Sequence, residues 1–290
     1  MNRDQALGAM VGLAVGDALG TTLEFSRNPT SDRTLWHTEI IGGGPFNLPV
    51  GGWTDDTSMA LALMQSYLDA KQFDPKLCVR YFVDWYRKGT FSHTGDCFDI
   101  GFTTMEALSR CERLPNEPYQ GSTDPQSSGN GGIMRLAPAV IANAHSIEQA
   151  VEDAVNQSKI THASDESLLY ADLLARVLFY GDPFIEEVTP YVLPDSTPWE
   201  SLLSGGYVKE TFQCAMWTAR NTDSFEECLI QTVNRRFDAD TTGAVAGQIA
   251  GAMYGLSGIP ERWLEVLIDY ETIKAKADEL FQINTMLKRV

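Results

Sequence analysis

At 290 residues, 43% of them hydrophobic and with no low-complexity tract, the chain is long enough to bury an ample core without covalent staples. Its 39 acidic residues outnumber 22 basic ones for a formal net charge of −17, and no basic cluster interrupts them, which argues against nonspecific nucleic-acid binding and against an anionic membrane as partner. The five cysteines are odd in number and none pair as C-x-x-C, so neither a disulfide framework nor a zinc site is suggested; a single globular domain over 1–290, in the cytoplasm, fits best.

From the N-terminus, apolar residues recur at helical spacing over 3–19, where Gly8, Gly12, Gly16 and Gly20 fall on every fourth residue and line one helix face. A face without side chains permits close helix approach, although each Gly costs roughly 1 kcal/mol against Ala. The stretch is signal-like in its apolarity, but Asp4 and Asp17 interrupt it and no cleavage region follows. A loop rich in Gly, Pro, Ser and Asn over 26–53 leads into "GGWTDDTSMALAL" (51–63) and a helix over 57–70, followed by helices over 75–87 and 100–110. A second loop, 113–132, precedes helices over 147–158 and 164–180; a third, 181–206, precedes helices over 207–220 and 224–234. Loops of that length in a compact domain are usually functional or disordered. "NRRFDADTTGAVAGQIAGAMYG" (234–255) opens a helix over 242–256 in which Gly243, Gly247, Gly251 and Gly255 repeat the four-residue spacing, and one further helix is expected over 260–287. Alternating runs are nearly absent, so the chain reads as all-α, and no apolar run is expected to reach membrane-spanning length. Close packing of the two glycine-spaced helices would let the acids beside them share one site.

Those acids stand at two helix starts. Asp55 and Asp56 follow Thr54, and Asp238 and Asp240 precede Thr241 and Thr242. Short acidic or hydroxyl residues favour a helix start because they accept from its free N–H groups. One Asp suffices for that; several Asp and Thr at two starts are a set of hard oxygen ligands of the type preferred by Mg²⁺, Mn²⁺ or Ca²⁺. The D-x-D-x-T-G run matches the opening of a calcium EF-hand loop, but Ile249 stands where the bidentate Glu belongs, which rejects that reading. It also resembles the nucleophile motif of haloacid-dehalogenase-type phosphatases, which stays as the weaker alternative because the mostly helical chain after the motif is short for the parallel α/β domain that fold needs.

With "GLAVGDALGTTLEF", "WTDDTSMALAL", "DIGFTTMEAL", "SGNGGIMRLAP", "THASDES" and "CLIQTVNRRFDADTTGAVAGQIAGAMYG" in that order along nearly the whole chain, the sequence resembles the ADP-ribosylglycohydrolase family, of which the dinitrogenase reductase-activating glycohydrolase is a bacterial type. The resemblance implies a single compact orthogonal helical bundle and two divalent ions, Mg²⁺ or Mn²⁺, on Thr54, Asp55, Asp56, Asp238, Asp240 and Thr241. It implies hydrolysis of the glycosidic bond between ADP-ribose and an acceptor such as a protein side chain, with positive charge building on the ribose as in other glycoside hydrolyses. Glu24 and Asp99 match acidic residues near the metals, either of which serves as general base; on the residues alone, Glu24 reads as an exposed residue after the first helix and Asp99 as an N-cap. The run Ser127–Gly132, with Ser128, Gly129, Asn130 and Gly131, offers an open backbone nest for a diphosphate. His162 and Tyr207 match ligand-contacting positions; the alternatives are a structural histidine and a packed aromatic.

Three departures from the family pattern concern the acceptor. Phe102 stands where the arginine-specific branch commonly has Asn, which removes a polar substrate contact and counts against arginine specificity. Arg236 and Phe237 stand where small residues are usual, and these two bulky side chains close the acceptor side, or Arg236 pairs with acids or phosphates. A noncatalytic ADP-ribose binder or toxin-immunity protein on the same fold is the competing function, and intact ligand sets favour the enzyme.

Overall fold

The computed structural model describes residues 1–287, and among them the chain is all-α, with twelve α-helices: α1 Arg3–Gly20, α2 Asp55–Ala70, α3 Pro75–Lys88, α4 Phe102–Arg113, α5 Ala137–Ala142, α6 Ile147–Lys159, α7 Asp165–Tyr180, α8 Val208–Arg220, α9 Phe225–Val233, α10 Ala239–Tyr254, α11 Glu261–Leu264 and α12 Tyr270–Leu287. The expected helix over 260–287 is in fact two, because the chain turns between them at Asp269, whose φ of +61° is left-handed and ends α-helical hydrogen bonding. Helix α5 was not anticipated: at six residues, with Pro138 in its first turn, it is too short to display a period.

Helices α1 and α10 form the centre. In α1 every residue from Ala6 to Gly20 is buried, and in α10 every residue from Ala239 to Ala252. A helix that is apolar all round packs on all sides rather than one. A Cβ placed on Gly12 would lie 2.3 Å from the Gly247 carbonyl oxygen, and one on Gly16 would lie 2.0 Å from that of Gly243. Gly8 meets Gly251 and Gly20 meets Ala239 in the same way, so the two helices run antiparallel with backbones in contact. By length and composition the segment Arg3–Leu23, at mean hydropathy 1.5, is long and apolar enough to cross a membrane, contrary to the expectation from sequence; 89% of its most apolar window is buried inside this fold.

Antiparallel packing has a consequence for chemistry. It brings the C-terminal end of α1, with Asp17 and Glu24 just beyond it, against the N-terminal end of α10, with Asp238 and Asp240. Helix α2 starts at the same place, because Asp17 is bonded to its first turn.

Candidate active site

The acids at the two helix starts do not cap them. Thr54 occupies the N-cap position of α2 and Asp238 that of α10, and neither side chain bonds its own helix N–H groups. At α2 the capping is done from another helix. Asp17 of α1 accepts from the Thr54 N–H at 2.9 Å and the Thr57 N–H at 3.0 Å, and from the Thr54 and Thr57 hydroxyls at 3.0 and 2.6 Å. The orphan donors of a helix start need one such acceptor. With Asp17 supplying it, Asp55 and Asp56 are free for another purpose although both are buried. Asp17 escaped the sequence reading, which took it only as an interruption of an apolar stretch. The signal was there: a lone carboxylate in a helix apolar on every side must have a buried partner.

Around it the carboxylates converge. Asp17, Asp56 and Asp240 each present an oxygen within 4.8 Å of the others, and so do Glu24, Asp238 and Asp240. Asp240 belongs to both groups. The Thr54 hydroxyl lies 3.1 Å from Asp56 Oδ2 and the Thr241 hydroxyl 3.3 Å from the same oxygen. Asp56 Oδ1, Asp240 Oδ1 and Glu24 Oε2 are buried without any partner. Unsatisfied buried carboxylate oxygens are costly unless something binds them. Two adjoining sets of orphaned, hard oxygen atoms fit one or two divalent cations, and the residues that would hold them are Asp56, Asp238 and Asp240 with Thr54 and Thr241 alongside; Asp55 lines the cavity next to them.

The electrostatics agree. Burial alone pushes Asp17 up to about 6, against the hydrogen bonds from Thr54 and Thr57 that pull it down; burial and then neighbouring acids push Asp240 to about 6, Asp238 to about 7 and Asp99 to about 10. Glu24 is pushed to about 12 by burial and then by Asp240, and Asp55 and Asp56 are likewise held well above the usual carboxylate range by burial and by neighbouring acids. No Lys or Arg lines the cavity among the described residues, so no cationic side chain there pairs with these acids.

That cavity, of about 570 Å³, holds Glu24, Asp55, Asp99, Asp238, Asp240 and Thr241 on one side and the glycine loop with His162 on another. A volume of this order suits a drug-sized ligand. Glu24 is 6% exposed, not the surface residue its local sequence suggests. Asp99 has a φ of +60° and is bonded to Asp240; Gly101 takes the N-cap position of α4 that Asp99 would otherwise have filled. Such conformations are tolerated by Asp and are concentrated at functional sites.

The glycine loop is less open than its composition implies. The Gly129 N–H bonds the Ser127 carbonyl at 2.8 Å and the Asn130 N–H bonds that of Gly206 at 3.1 Å, so these two donors are spent within the chain. Asn130 Nδ2 donates to Asp238 Oδ2 at 2.7 Å, tying the loop to the acids. Gly129, Asn130 and Gly131 line the cavity, whereas Ser128 lies behind them with its hydroxyl on Pro125 and Ser164. Tyr207 is neither a cavity residue nor a packed one: it is 38% exposed with its hydroxyl on Glu166, and its neighbour Gly206 lines the cavity instead. Arg236 pairs with neither acid nor cavity; its guanidinium donates to the Ser26 hydroxyl at 2.6 Å. Phe237 is half-exposed outside the lining, while Phe25, Phe46 and Phe102 line the cavity, Phe102 with 68% of its surface exposed.

In this all-α chain the central helix ends bring buried carboxylates to a ligand-sized cavity, and its relatives place it among the hydrolases. The chain belongs to the ADP-ribosylglycohydrolase family, whose model matches residues 1–288. It is similar to the ADP-ribosylarginine hydrolase Tri1 of Serratia proteamaculans (strain 568), 40% identical over 96% of this chain and 79% of the relative. It is also similar to the ADP-ribosyl-[dinitrogen reductase] glycohydrolase of Rhodospirillum rubrum, 35% identical over 91% of this chain and 90% of the relative. A solved structure, an ADP-ribosylglycohydrolase-related protein complex, superposes with a TM-score of 0.81 at 35% identity, covering 97% of this chain and 98% of that one.

Proposed function

We propose that this chain releases ADP-ribose from ADP-ribosylated protein side chains, arginine first, by hydrolysis at C1″ with Mg²⁺ or Mn²⁺ held on the acid cluster. The observation that carries this reading is the pair of carboxylate groups sharing Asp240, with orphaned oxygens on Asp56, Asp240 and Glu24 facing inward. Divalent ions there would supply Lewis acidity for the ribose hydroxyls and a lowered pKa for a nearby water. The chain's own residues divide the remaining work. Without cations Glu24 keeps its proton. With the charges of the neighbouring acids offset by divalent ions, the ionised Glu24, whose Oε2 has no partner, would accept the proton of the attacking water, while Asp99, tied to Asp240, fixes that ligand. The water oxygen bonds C1″, the C1″–N bond breaks with its electron pair going to the guanidine nitrogen, and that nitrogen takes up a proton. The glycine loop and His162 bind the ADP side, which leaves the aromatic wall of Phe25, Phe46 and Phe102 for the acceptor. The relatives, a hydrolase and a glycohydrolase by name, do not favour the noncatalytic alternative.

Arginine as acceptor suits that wall, because a guanidinium stacks on an aromatic face. Phe102→Ala is therefore expected to raise KM for an arginine-linked ADP-ribosyl peptide roughly threefold to fivefold, the size of an exposed cation–π contact, with kcat nearly unchanged. A fall in kcat at constant KM would remove the wall from the acceptor's path. The function itself is tested by measuring free ADP-ribose released from arginine-, serine- and nucleic-acid-linked substrates with Mg²⁺, with Mn²⁺ and with EDTA. Metal-dependent release from the arginine-linked substrate is the expected result; release that survives EDTA refutes the metal assignment, and binding of ADP-ribose without release from any substrate moves the reading to the binder.

The raised carboxylates also set a pH dependence for the metal-free protein. An acid whose pKa is higher folded than unfolded holds its proton longer in the folded state, so the stability it contributes falls as pH rises from the unfolded value toward the folded one. For Asp17, Asp240 and Asp238 that window runs from the ordinary value of 3.8 to about 6 or 7. Thermal unfolding of chelated protein should show a higher Tm at pH 5 than at pH 7.5, and added Mg²⁺ or Mn²⁺ should raise Tm more at pH 7.5. A Tm that rises over that range without metal contradicts the electrostatic account.

A further inference from the structure

Arg135 is a fully buried arginine that no carboxylate bonds. Its Nε and Nη2 donate to Gln157 Oε1 at 3.0 Å and the Gln157 carbonyl at 3.2 Å, Nη1 lies 3.4 Å from Met59 Sδ, and the guanidinium sits 4.4 Å from the Phe82 ring centroid. The remaining bond runs from Nη2 to the Thr161 hydroxyl oxygen at 2.7 Å. A guanidinium can only donate, so that oxygen accepts, and the hydroxyl hydrogen must point elsewhere. The hydroxyl's other partner is His162 Nδ1, at 2.9 Å. The oxygen's second lone pair would let it accept from an Nδ1–H as well, but the buried hydroxyl hydrogen then has no acceptor among the described residues. That hydrogen is satisfied when Thr161 donates to Nδ1, and a neutral imidazole that accepts at Nδ1 carries its proton on Nε2.

The ring is held where that proton matters. His162 is 3% exposed, and its backbone is fastened to Ser158 by the His162 N–H on the Ser158 carbonyl at 2.7 Å and the Ser158 hydroxyl on the His162 carbonyl at 2.9 Å. The imidazole lies against the glycine loop: a Cβ on Gly131 would fall 2.4 Å from Cε1 and one on Gly129 would fall 3.1 Å from Nε2. Nε2 has no protein partner among the described residues, and His162 lines the cavity. Burial, and then the Arg135 charge, press its pKa down to about 3, in keeping with a neutral ring.

We infer that Arg135 and Thr161 are positioning residues that lock His162 in its Nε2–H tautomer, making it a neutral donor aimed across the glycine loop at an anionic oxygen of the substrate's diphosphate. The aim at a diphosphate rests on the ADP-ribose reading above; the tautomer does not. In a cavity without Lys or Arg, a fixed N–H supplies directed affinity for phosphate oxygens while adding no charge beside a cationic transition state. Hydrogen bonds to charged groups of this kind are worth enough to change affinity by about tenfold or more.

Imidazole ¹⁵N NMR of histidine-labelled protein, with the His162 signals identified by their loss in His162→Gln, reads the tautomer in the ligand-free enzyme. The expected result at pH 7 is a protonated Nε2 and an unprotonated Nδ1; a proton on Nδ1, or on both, overturns the relay. Added ADP-ribose should then move the Nε2 signal. An unmoved signal with the tautomer as expected would overturn the diphosphate aim alone, separating the two failures. Thr161→Val should leave His162 a mixture of tautomers and weaken ADP-ribose binding about tenfold with kcat nearly unchanged, while Thr161→Ser restores both tautomer and affinity. Weakened binding with the tautomer intact would mark Thr161 as merely structural, and if the valine variant does not fold, the NMR measurement on the unsubstituted enzyme and the serine variant decides the matter.

Discussion

Asp240→Ala is expected to abolish ADP-ribose release while leaving the helical fold intact. Asp240 is the one residue common to both carboxylate groups, it lies 3.4 Å through Oδ2 from the Thr54 hydroxyl, and it holds Asp99 by a side-chain hydrogen bond. Under the proposed metal reading its removal would take an oxygen from both carboxylate groups and unfasten a second acid. Metal contributions to transition-state stabilisation amount to several kcal/mol, so a loss of at least about a thousandfold in kcat/KM is expected. The fold should not suffer, because Asp240 sits among charges of its own sign that raise one another's pKa. Chelated Asp240→Ala protein should melt no lower than the chelated parent, and the stabilisation by Mg²⁺ or Mn²⁺ should largely disappear. Steady-state ADP-ribose release and thermal unfolding with and without metal check both halves. Activity within about tenfold of the parent, or undiminished stabilisation by metal, would show that the cations are held elsewhere.

Gly247→Ala is expected to have the largest effect on stability, and its sign runs against local propensity. In an isolated helix the change would help by roughly 1 kcal/mol. Here the added Cβ would stand 1.9 Å from the Gly12 carbonyl oxygen and 2.6 Å from its carbon, both backbone atoms of α1 that no rotamer change can clear. Overpacking of that kind costs about 3 kcal/mol or more, so packing outweighs propensity and Tm should fall by roughly 5–10 °C. The same movement would separate Asp17 on α1 from Asp240 on α10, so metal-dependent stabilisation should weaken as well. Gly101→Ala serves as the control: a Cβ there meets nothing within 4 Å, and its effect on stability should stay below about 1 kcal/mol. Chemical denaturation of the two variants beside the parent decides it, and a stabilised Gly247→Ala protein would mean that the central helices have room to spare.

What could be read from the chain alone was local or periodic. Apolar residues at helical spacing located most helices, and the repeats Gly8-Gly12-Gly16-Gly20 and Gly243-Gly247-Gly251-Gly255 marked two of them as tightly packed, because spacing along one helix is a property of the sequence itself. The excess of acid at 54–56 and 238–241 over what a cap requires was visible for the same reason. Tertiary structure decided what these features do. Asp17 became the cap of α2 because antiparallel packing carried it to a helix start beginning 38 residues further on, which frees Asp55 and Asp56. Glu24 was buried, Tyr207 turned outward to Glu166, and the glycine loop gave up two of its donors to its own chain. Helix α5 and the break at Asp269 left no periodic trace because one is too short and the other is a single left-handed residue. Periodicity reports which side of a helix is apolar; it carries no record of which distant carboxylate will meet which N–H, since that depends on backbones brought together only when the chain folds.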